Sequence, residues 1–257
     1  MPRPHWQLPR GVTRGLWEYT RSPRIADDYD DYFAFTQLFE FDEAVLAANF
    51  APPCLVADLG CGTGRALVPL CRRGGTGLAV DLSPHMLRIV QEKADVEGLD
   101  IDCLQANLVE LGCLRDDSID HAMCMFSTLG MIEGRLARQQ FLQHVRRIVR
   151  PGGRFVLHVH NLWYNLFDYS GRPWLARHVP RVLLARDVEL GDKQYTYRGI
   201  PNMYLHVFTK HQLKRALHAA GFRIREFIPL DTTRQKRLRC SWLLPRVRAN
   251  GWIVVCE

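Results

Sequence analysis

The chain has 257 residues, 47% of them apolar, and a formal net charge of +7. That length and composition can bury one α/β core with elaborations, which excludes a generically disordered chain. No apolar run approaches the ~20 residues needed to span a bilayer, so no membrane partner is expected. The N-terminal stretch MPRPHWQLPRGVTRGLWEY is broken by Pro, Gly and Arg and has no signal-peptide core, and its prolines argue against a transit peptide. The eight cysteines form no C-x-x-C pair and several lie in apolar runs, the pattern of reduced, packed thiols in a cytoplasmic protein rather than a disulfide framework. The excess of base permits attraction to nucleic acid or an acidic substrate.

In chain order, residues 1–25 read as basic and loop-like. Residues 27–43 reverse the sign, with Asp27, Asp28, Asp30, Asp31, Glu40, Asp42 and Glu43 interleaved with aromatics that include Tyr29, Tyr32, Phe35 and Phe39. Acids favour first helical turns, so one or two helices are expected there, and residues 1–48 are read as an arm and helices packed on a main domain at 49–257. From Leu55 strands and helices alternate. LVADL (55–59) is a strand, a helix follows from about Gly64 to Arg73, and GLAVD (77–81) is the second strand. Ser83 caps the next helix with Pro84 at its first position, and IDCLQA (101–106) and IDHAMCMF (119–126) are strands three and four. A helix carrying Ala137, Phe141, Val145 and Ile148 stops at Arg150-Pro151-Gly152-Gly153, ahead of strand five, RFVLHVH (154–160).

Residues 161–207 break the rhythm with many aromatics and read as an insertion with short strands of its own around VELGDKQYTYR. Thr209-x-x-Gln212 is a capping box opening a further helix, and residues 222–230 and 252–257 are the last two strands. Alternation of this kind predicts a doubly wound, Rossmann-like α/β fold: a seven-stranded, mostly parallel sheet with flanking helices, binding its ligand beyond the carboxyl ends of the strands. The basic stretch 234–248 reads as a solvated connection, with phosphate contact as the alternative.

Gly60-Cys61-Gly62-Thr63-Gly64 follows strand one directly, and such a turn lets a ligand approach the backbone. The spacing is G-x-G-x-G with Arg65 next, whereas the dinucleotide fingerprint needs Gly or Ala there, which weakens a nicotinamide reading. Asp81, at the end of strand two, is placed to accept the hydroxyls of a ribose. His158 and His160 share one face of strand five. With no carboxylate or Cys at ligand spacing they are not expected to hold a metal; His160 or Asn161 lining an acceptor pocket is the functional alternative to a packed strand end.

These motifs together resemble the class I S-adenosylmethionine (SAM)-dependent methyltransferase family. VADLGCGTGR (56–65) is similar to its first motif, AVDLSPHML (79–87) to the acidic motif after it, QANLVEL (105–111) to the one after strand three, and RIVRPGGRFVLHV (147–159) to its late R-P-G-G motif. The resemblance implies SAM as cofactor. Asp58 would order the glycine turn and lie near the methionine amino group; Gly60, Cys61, Gly62 and Gly64 would bring backbone against methionine and ribose. Asp81 would take the ribose, Leu82, Met86 and Leu108 would flank adenine, Asn107 would accept the adenine amino group, and Phe126 would stand between cofactor and acceptor. HVHNLWYN resembles the strand-five exit of glycine N-methyltransferase-like enzymes, which implies His160 and Asn161 near the acceptor. Tyr32, with Tyr29, could close over the sulfonium. The function implied is methyl transfer to N or O of a small-molecule acceptor, enclosed by the N-terminal helices and the 161–207 insertion. Nucleic-acid methylation and SAM binding without turnover are the alternatives, and the oligomeric state stays open.

Overall fold

The computed structural model describes residues 7–33, 40–185 and 188–257. Its frame is a seven-stranded sheet: β1 (Leu55–Leu59), β2 (Thr76–Asp81), β3 (Ile101–Gln105), β4 (Ile119–Cys124), β5 (Val149–His160), β8 (Ile224–Pro229) and β9 (Gly251–Cys256). The order is β3-β2-β1-β4-β5-β9-β8. The pairs from β3 to β5 are parallel, and β9 runs antiparallel to both β5 and β8. The chain order reverses beside β1, between β2 and β4, and that switch point opens a crevice at the carboxyl ends of β1 and β2.

Helices cover both faces because the central strands are apolar on both sides. On one face Ala57, Phe155, Val159 and Val254 pack with Phe141, Leu142 and Val145 of α8 (Arg135–Ile148) and with Leu213 and Leu217 of α10 (Lys210–Ala219). On the other, Val56, Met123, Val156 and Ile253 pack with α4 (Glu40–Asn49), α5 (Leu67–Cys71) and α6 (Pro84–Glu97). Ser83 caps α6 by accepting from Met86 N, with Pro84 at its first position. Thr209 and Gln212 close a reciprocal box on α10. Thr209→Ala is expected to cost about 1 kcal/mol in urea unfolding, with Thr209→Ser near wild type, because only the hydroxyl accepts the helical N–H.

Three local readings are corrected. The helix after the glycine turn is short, since Gly64–Ala66 are still in the turn and α5 begins at Leu67. The Arg150–Gly153 segment is the beginning of β5 rather than a stop before it. The region read as loop-like contains a helix, α1 (Arg14–Thr20), which Thr13 caps by accepting from Leu16 N. Gly15 lets α1 lie against the chain at Asn202, whose carbonyl oxygen would be 2.8 Å from a Cβ there. Two short helices follow, α2 (Pro23–Asp27) and α3 (Tyr29–Phe33). Met1–Trp6, and residues 34–39 with Phe35 and Phe39 of the aromatic stretch, lie outside the described residues.

The 161–207 segment carries a 3-10 turn (Leu162–Leu166), α9 (Gly171–Leu184), β6 (Asp192–Tyr197) and α7-facing β7 (Ile200–His206), α7 being Thr128–Met131. β6 and β7 pair as a separate antiparallel hairpin, as expected for strands belonging to an insertion. A buried charge network ties the hairpin to α8: Arg138 donates to Glu189 (2.5 Å) and to Tyr204 Oη (3.0 Å), while Tyr204 Oη donates to Asp192 (2.6 Å), which also bonds His206 Nδ1 (2.8 Å). Among the described residues no helix is long and apolar enough to cross a membrane.

Candidate functional site

The glycine turn is held by the strand beside it. Gly60 and Cys61 N–H donate to Val80 O (2.8 and 3.1 Å), Gly62 N–H to Asp81 Oδ2 (2.9 Å), and Gly64 N–H to Cys61 O (3.0 Å). Gly60, Gly62 and Gly64 all adopt positive φ, the conformation that makes glycine the suitable residue. The ordering role expected of Asp58 is thus filled by Asp81 and the Val80 carbonyl. Asp81 also accepts from Ser83 N (2.8 Å) through Oδ1, so both of its oxygens are held by backbone N–H groups.

One cavity opens over this turn. Of the residues named from sequence, Asp58, Gly60, Cys61, Gly62, Asp81, Leu82, Met86, Asn107, Leu108 and Phe126 line it. Two do not. Gly64 turns toward α6, where a Cβ would meet Val90 Cγ2 at 3.1 Å, so its smallness serves packing. Tyr32 is 55% exposed and lies under the Arg198 guanidinium, 4.9 Å from the ring centroid. The tyrosines at the cavity are Tyr19 and Tyr29, which with Val12, Leu16 and Thr20 line it from the N-terminal segment. Arg65, Thr128 and Ile132 also line it. Tyr29 carried a sequence signal in its aromatic-acidic stretch; Tyr19 and Val12 reach the cavity only through the placement of α1, which no local spacing reports.

The cavity is acidic at its floor and apolar on its walls. Asp58 is 2% exposed. Burial, with Asp81 adjacent, pushes its carboxyl up to about 8. Burial also raises Asp81, opposed by N–H groups of Ser83, Gly62 and Leu82. Burial raises the Tyr19 and Tyr29 phenols and the Cys61 thiol, so all three are neutral at pH 7. For Asp58, the folded chain keeps a proton that the unfolded chain releases near pH ~4. The stability from this group is full below that value and is lost as pH rises toward 8. Asp58→Asn should therefore flatten the fall of ligand-free stability across that window, read by urea unfolding at several pH values.

Asn107 sits at the rim, its amide nitrogen donating to Arg10 O (3.0 Å) and its oxygen accepting from Val109 N (3.2 Å). At the exit of β4, Phe126 (φ 51°) and Ser127 (φ 65°) both adopt left-handed backbone, a conformation costly for residues with a Cβ and concentrated at functional sites. It turns Phe126 toward the cavity.

The strand-five residues are placed elsewhere. Asn161 is buried; its amide donates to Arg246 O (3.0 Å) and Ala249 O (2.7 Å) and accepts from Trp163 N (3.1 Å) as the cap of the 3-10 turn. Its polar atoms serve the fold, which corrects its assignment to the acceptor pocket. His160 does not line the cofactor-sized cavity either. It faces Arg234, whose Nη1 lies 3.3 Å from both ring nitrogens, and burial together with Arg234 pushes its pKa well down, leaving it neutral. Beside it His158 is fully buried, with Nδ1 2.9 Å from Asp42 Oδ2, and its ring centroid is 6.0 Å from that of Phe126. The contribution of Asp42 was not legible from sequence.

A model of the methyltransferase domain family matches residues 56–153. A putative methyltransferase of Geobacillus sp. (strain WCH70) is 31% identical over 109 residues, 42% of this chain and 43% of the relative. A ubiquinone biosynthesis O-methyltransferase of Klebsiella pneumoniae is 25% identical over 120 residues, 47% of this chain and 45% of the relative. The chain thus spans under half the length of these curated relatives. Among solved structures, a SAM-dependent methyltransferase from Methanosarcina mazei superposes with a TM-score of 0.66 at 19% identity, covering 82% of this chain and 95% of that one. The Burkholderia thailandensis 1,6-didemethyltoxoflavin-N1-methyltransferase, solved with 1,6-didemethyltoxoflavin and S-adenosylhomocysteine, gives 0.60 at 18% identity, covering 91% of this chain and 83% of that one. The sheet is the Rossmann-like methyltransferase fold. Residues 56–153 thus match the methyltransferase domain family within that fold.

Proposed function

We propose that this chain is a SAM-dependent methyltransferase that transfers a methyl group to an N or O atom of a small-molecule acceptor. The observation that carries this is the single cavity in which Asp58 and Asp81 flank the glycine turn beneath apolar walls. SAM matches that polarity along its length. Asp81, a carboxylate held at the strand end by backbone N–H groups and facing the cavity, suits the ribose hydroxyls. Leu82, Met86 and Leu108 make an apolar slot for adenine, with Asn107 at its edge. Asp58 and the backbone at Gly60–Gly62 face the remaining, zwitterionic end. Apposing the SAM amino group draws Asp58 into its ionised form, so binding should release protons below about pH 8. The bound sulfonium supplies an already activated methyl group, so the chain's own task is to align the acceptor and keep water out.

Residues 1–48 are assigned as a cover and 49–257 as the methyltransferase domain. Val12, Leu16, Tyr19 and Tyr29 roof the cavity, an enclosure suited to a small acceptor. The ubiquinone biosynthesis O-methyltransferase and the 1,6-didemethyltoxoflavin-N1-methyltransferase to which the chain is similar are named for small-molecule acceptors. Incubating the chain and labelled SAM with a small-molecule extract, then searching by mass spectrometry for a gain of one methyl, tests this reading. A labelled small molecule supports it; label only in nucleic acid, or none, counts against it.

The nucleic-acid alternative loses support from the fate of the basic stretch. Arg234 turns inward onto His160, Arg237 pairs with Glu226, and Arg248 donates to the Cys240 and Leu243 carbonyls. Three of the six basic residues of the stretch are thereby engaged within the fold, while Lys236, Arg239 and Arg246 stay exposed. No salt-sensitive binding of RNA or duplex DNA is expected at low ionic strength, measured by fluorescence anisotropy.

A further inference from the structure

Behind Phe126 lies a second polar cluster that the cofactor cavity does not use. It joins α4, β5 and the connection after β8, three elements distant in sequence. Asp42 is 1% exposed and His158 fully buried, and they bond through Oδ2 and Nδ1 at 2.9 Å. The other polar atoms of the pair, Asp42 Oδ1 at one end and His158 Nε2 at the other, are buried with no hydrogen-bond partner among the described residues, and so is Arg234 Nε. Buried polar atoms are almost always satisfied, so three orphans within one cluster call for a specific reason. Arg234 feels the Asp42 charge yet makes no ion pair with it among the described residues; its nearest partner is the neutral ring of His160.

Resting on the methyl-transfer reading above, we propose that Asp42, His158 and Arg234 form the acceptor subsite, and that the acceptor is a hydroxylated small molecule bearing a carboxylate. The chemistry of His158 Nε2 and Arg234 Nε is complementary to such a compound. One hydroxyl donates to His158 Nε2, and an anionic group takes the Arg234 Nε–H in a buried, charge-assisted bond. The Asp42 carboxylate on Nδ1 fixes the tautomer in which Nε2 carries the lone pair, the arrangement by which a carboxylate positions an imidazole base. As the acceptor oxygen bonds the methyl carbon, the methyl–sulfur bond breaks and its electron pair stays on sulfur, giving S-adenosylhomocysteine (SAH). The hydroxyl proton passes to His158 Nε2, and the resulting imidazolium is stabilised by Asp42. His158 is thus a catalytic residue and Asp42 a positioning residue. The other charged or titratable groups around the pair are His160 on β5, Tyr164 on the 3-10 turn and Lys193 on β6.

The test uses the full chain saturated with SAH and two probes, 3,4-dihydroxybenzoate and its methyl ester, titrated calorimetrically. The carboxylate is expected to bind about ten-fold more tightly than the ester, and Arg234→Gln to erase that difference. Asp42→Asn is expected to weaken both probes about ten-fold, with SAH affinity unchanged as the sign that the variant is folded. In a turnover assay with labelled SAM on the same acid, His158→Gln should lower kcat about 100-fold or more at unchanged SAM KM, and His158→Gly should regain activity with added imidazole. SAH binding with equal affinity for acid and ester, or with no binding of either, overturns the subsite. A failure to bind SAH at all removes the underlying methyltransferase reading instead, so the two failures are distinct.

Discussion

Asp81→Ala is expected to lower the affinity for SAH about 100-fold or more, measured by isothermal titration. Two ribose hydroxyls donating to a buried carboxylate make two charge-assisted bonds, each worth about 1.5–3 kcal/mol, and each 1.4 kcal/mol is roughly ten-fold. Asp81 also holds the turn through Gly62 N and the start of α6 through Ser83 N, so its loss loosens the surface on which the ligand lies. Asp81→Asn should be little better, since an amide presents donors on one side where the carboxylate meets N–H groups on both. Full affinity in either variant would contradict the ribose assignment.

Gly60→Ala should be nearly as damaging, for a steric reason. A Cβ at Gly60 would run into Thr128 Cγ2, and the residue sits at φ 85°. The two causes can be separated. Thr128→Ser removes the Cγ2 methyl and keeps the hydroxyl that donates to Met125 O at 2.9 Å. The double variant Gly60→Ala/Thr128→Ser should recover most of the lost SAH affinity and stability. It should retain a cost of about 1 kcal/mol for a Cβ at positive φ. If the double variant is no better than Gly60→Ala alone, backbone conformation rather than the contact with α7 dominates.

What was legible in the sequence follows from how local each feature is. The glycine turn and Asp81 belong to one β-α-β unit, where strand end, turn and next strand end have a fixed spatial relation once the strands are parallel. The parallel sheet, its helices, the glycine turn and Asp81 could therefore be read from pattern, whereas Asp58, Leu82, Met86, Asn107, Leu108 and Phe126 were named through the family resemblance. The roof could not. Tyr19 reaches the cavity because Gly15 lets α1 pack closely at Asn202, a contact that depends on the insertion hairpin. Tyr32 shares the composition of its neighbour Tyr29, and only the path of α3 decides which of them faces inward. His158 and Asp42 are 116 residues apart, and no periodicity connects an acid in a first helical turn to a histidine on a central strand. Asn161 illustrates the converse: the type and position suited an acceptor contact, but its amide is consumed by the Arg246 and Ala249 carbonyls.

The proposed reading gives the strand ends and the roof one ligand of mixed character, with ribose at Asp81 and adenine in the slot formed by Leu82, Met86 and Leu108. Isothermal titration of SAH into the full-length chain tests this most directly. One SAH bound per chain, with protons released on binding below about pH 8 as Asp58 ionises, is the expected result. No binding, or binding that Asp81→Ala and Gly60→Ala leave untouched, would contradict the assignment of this cavity to the methyl donor.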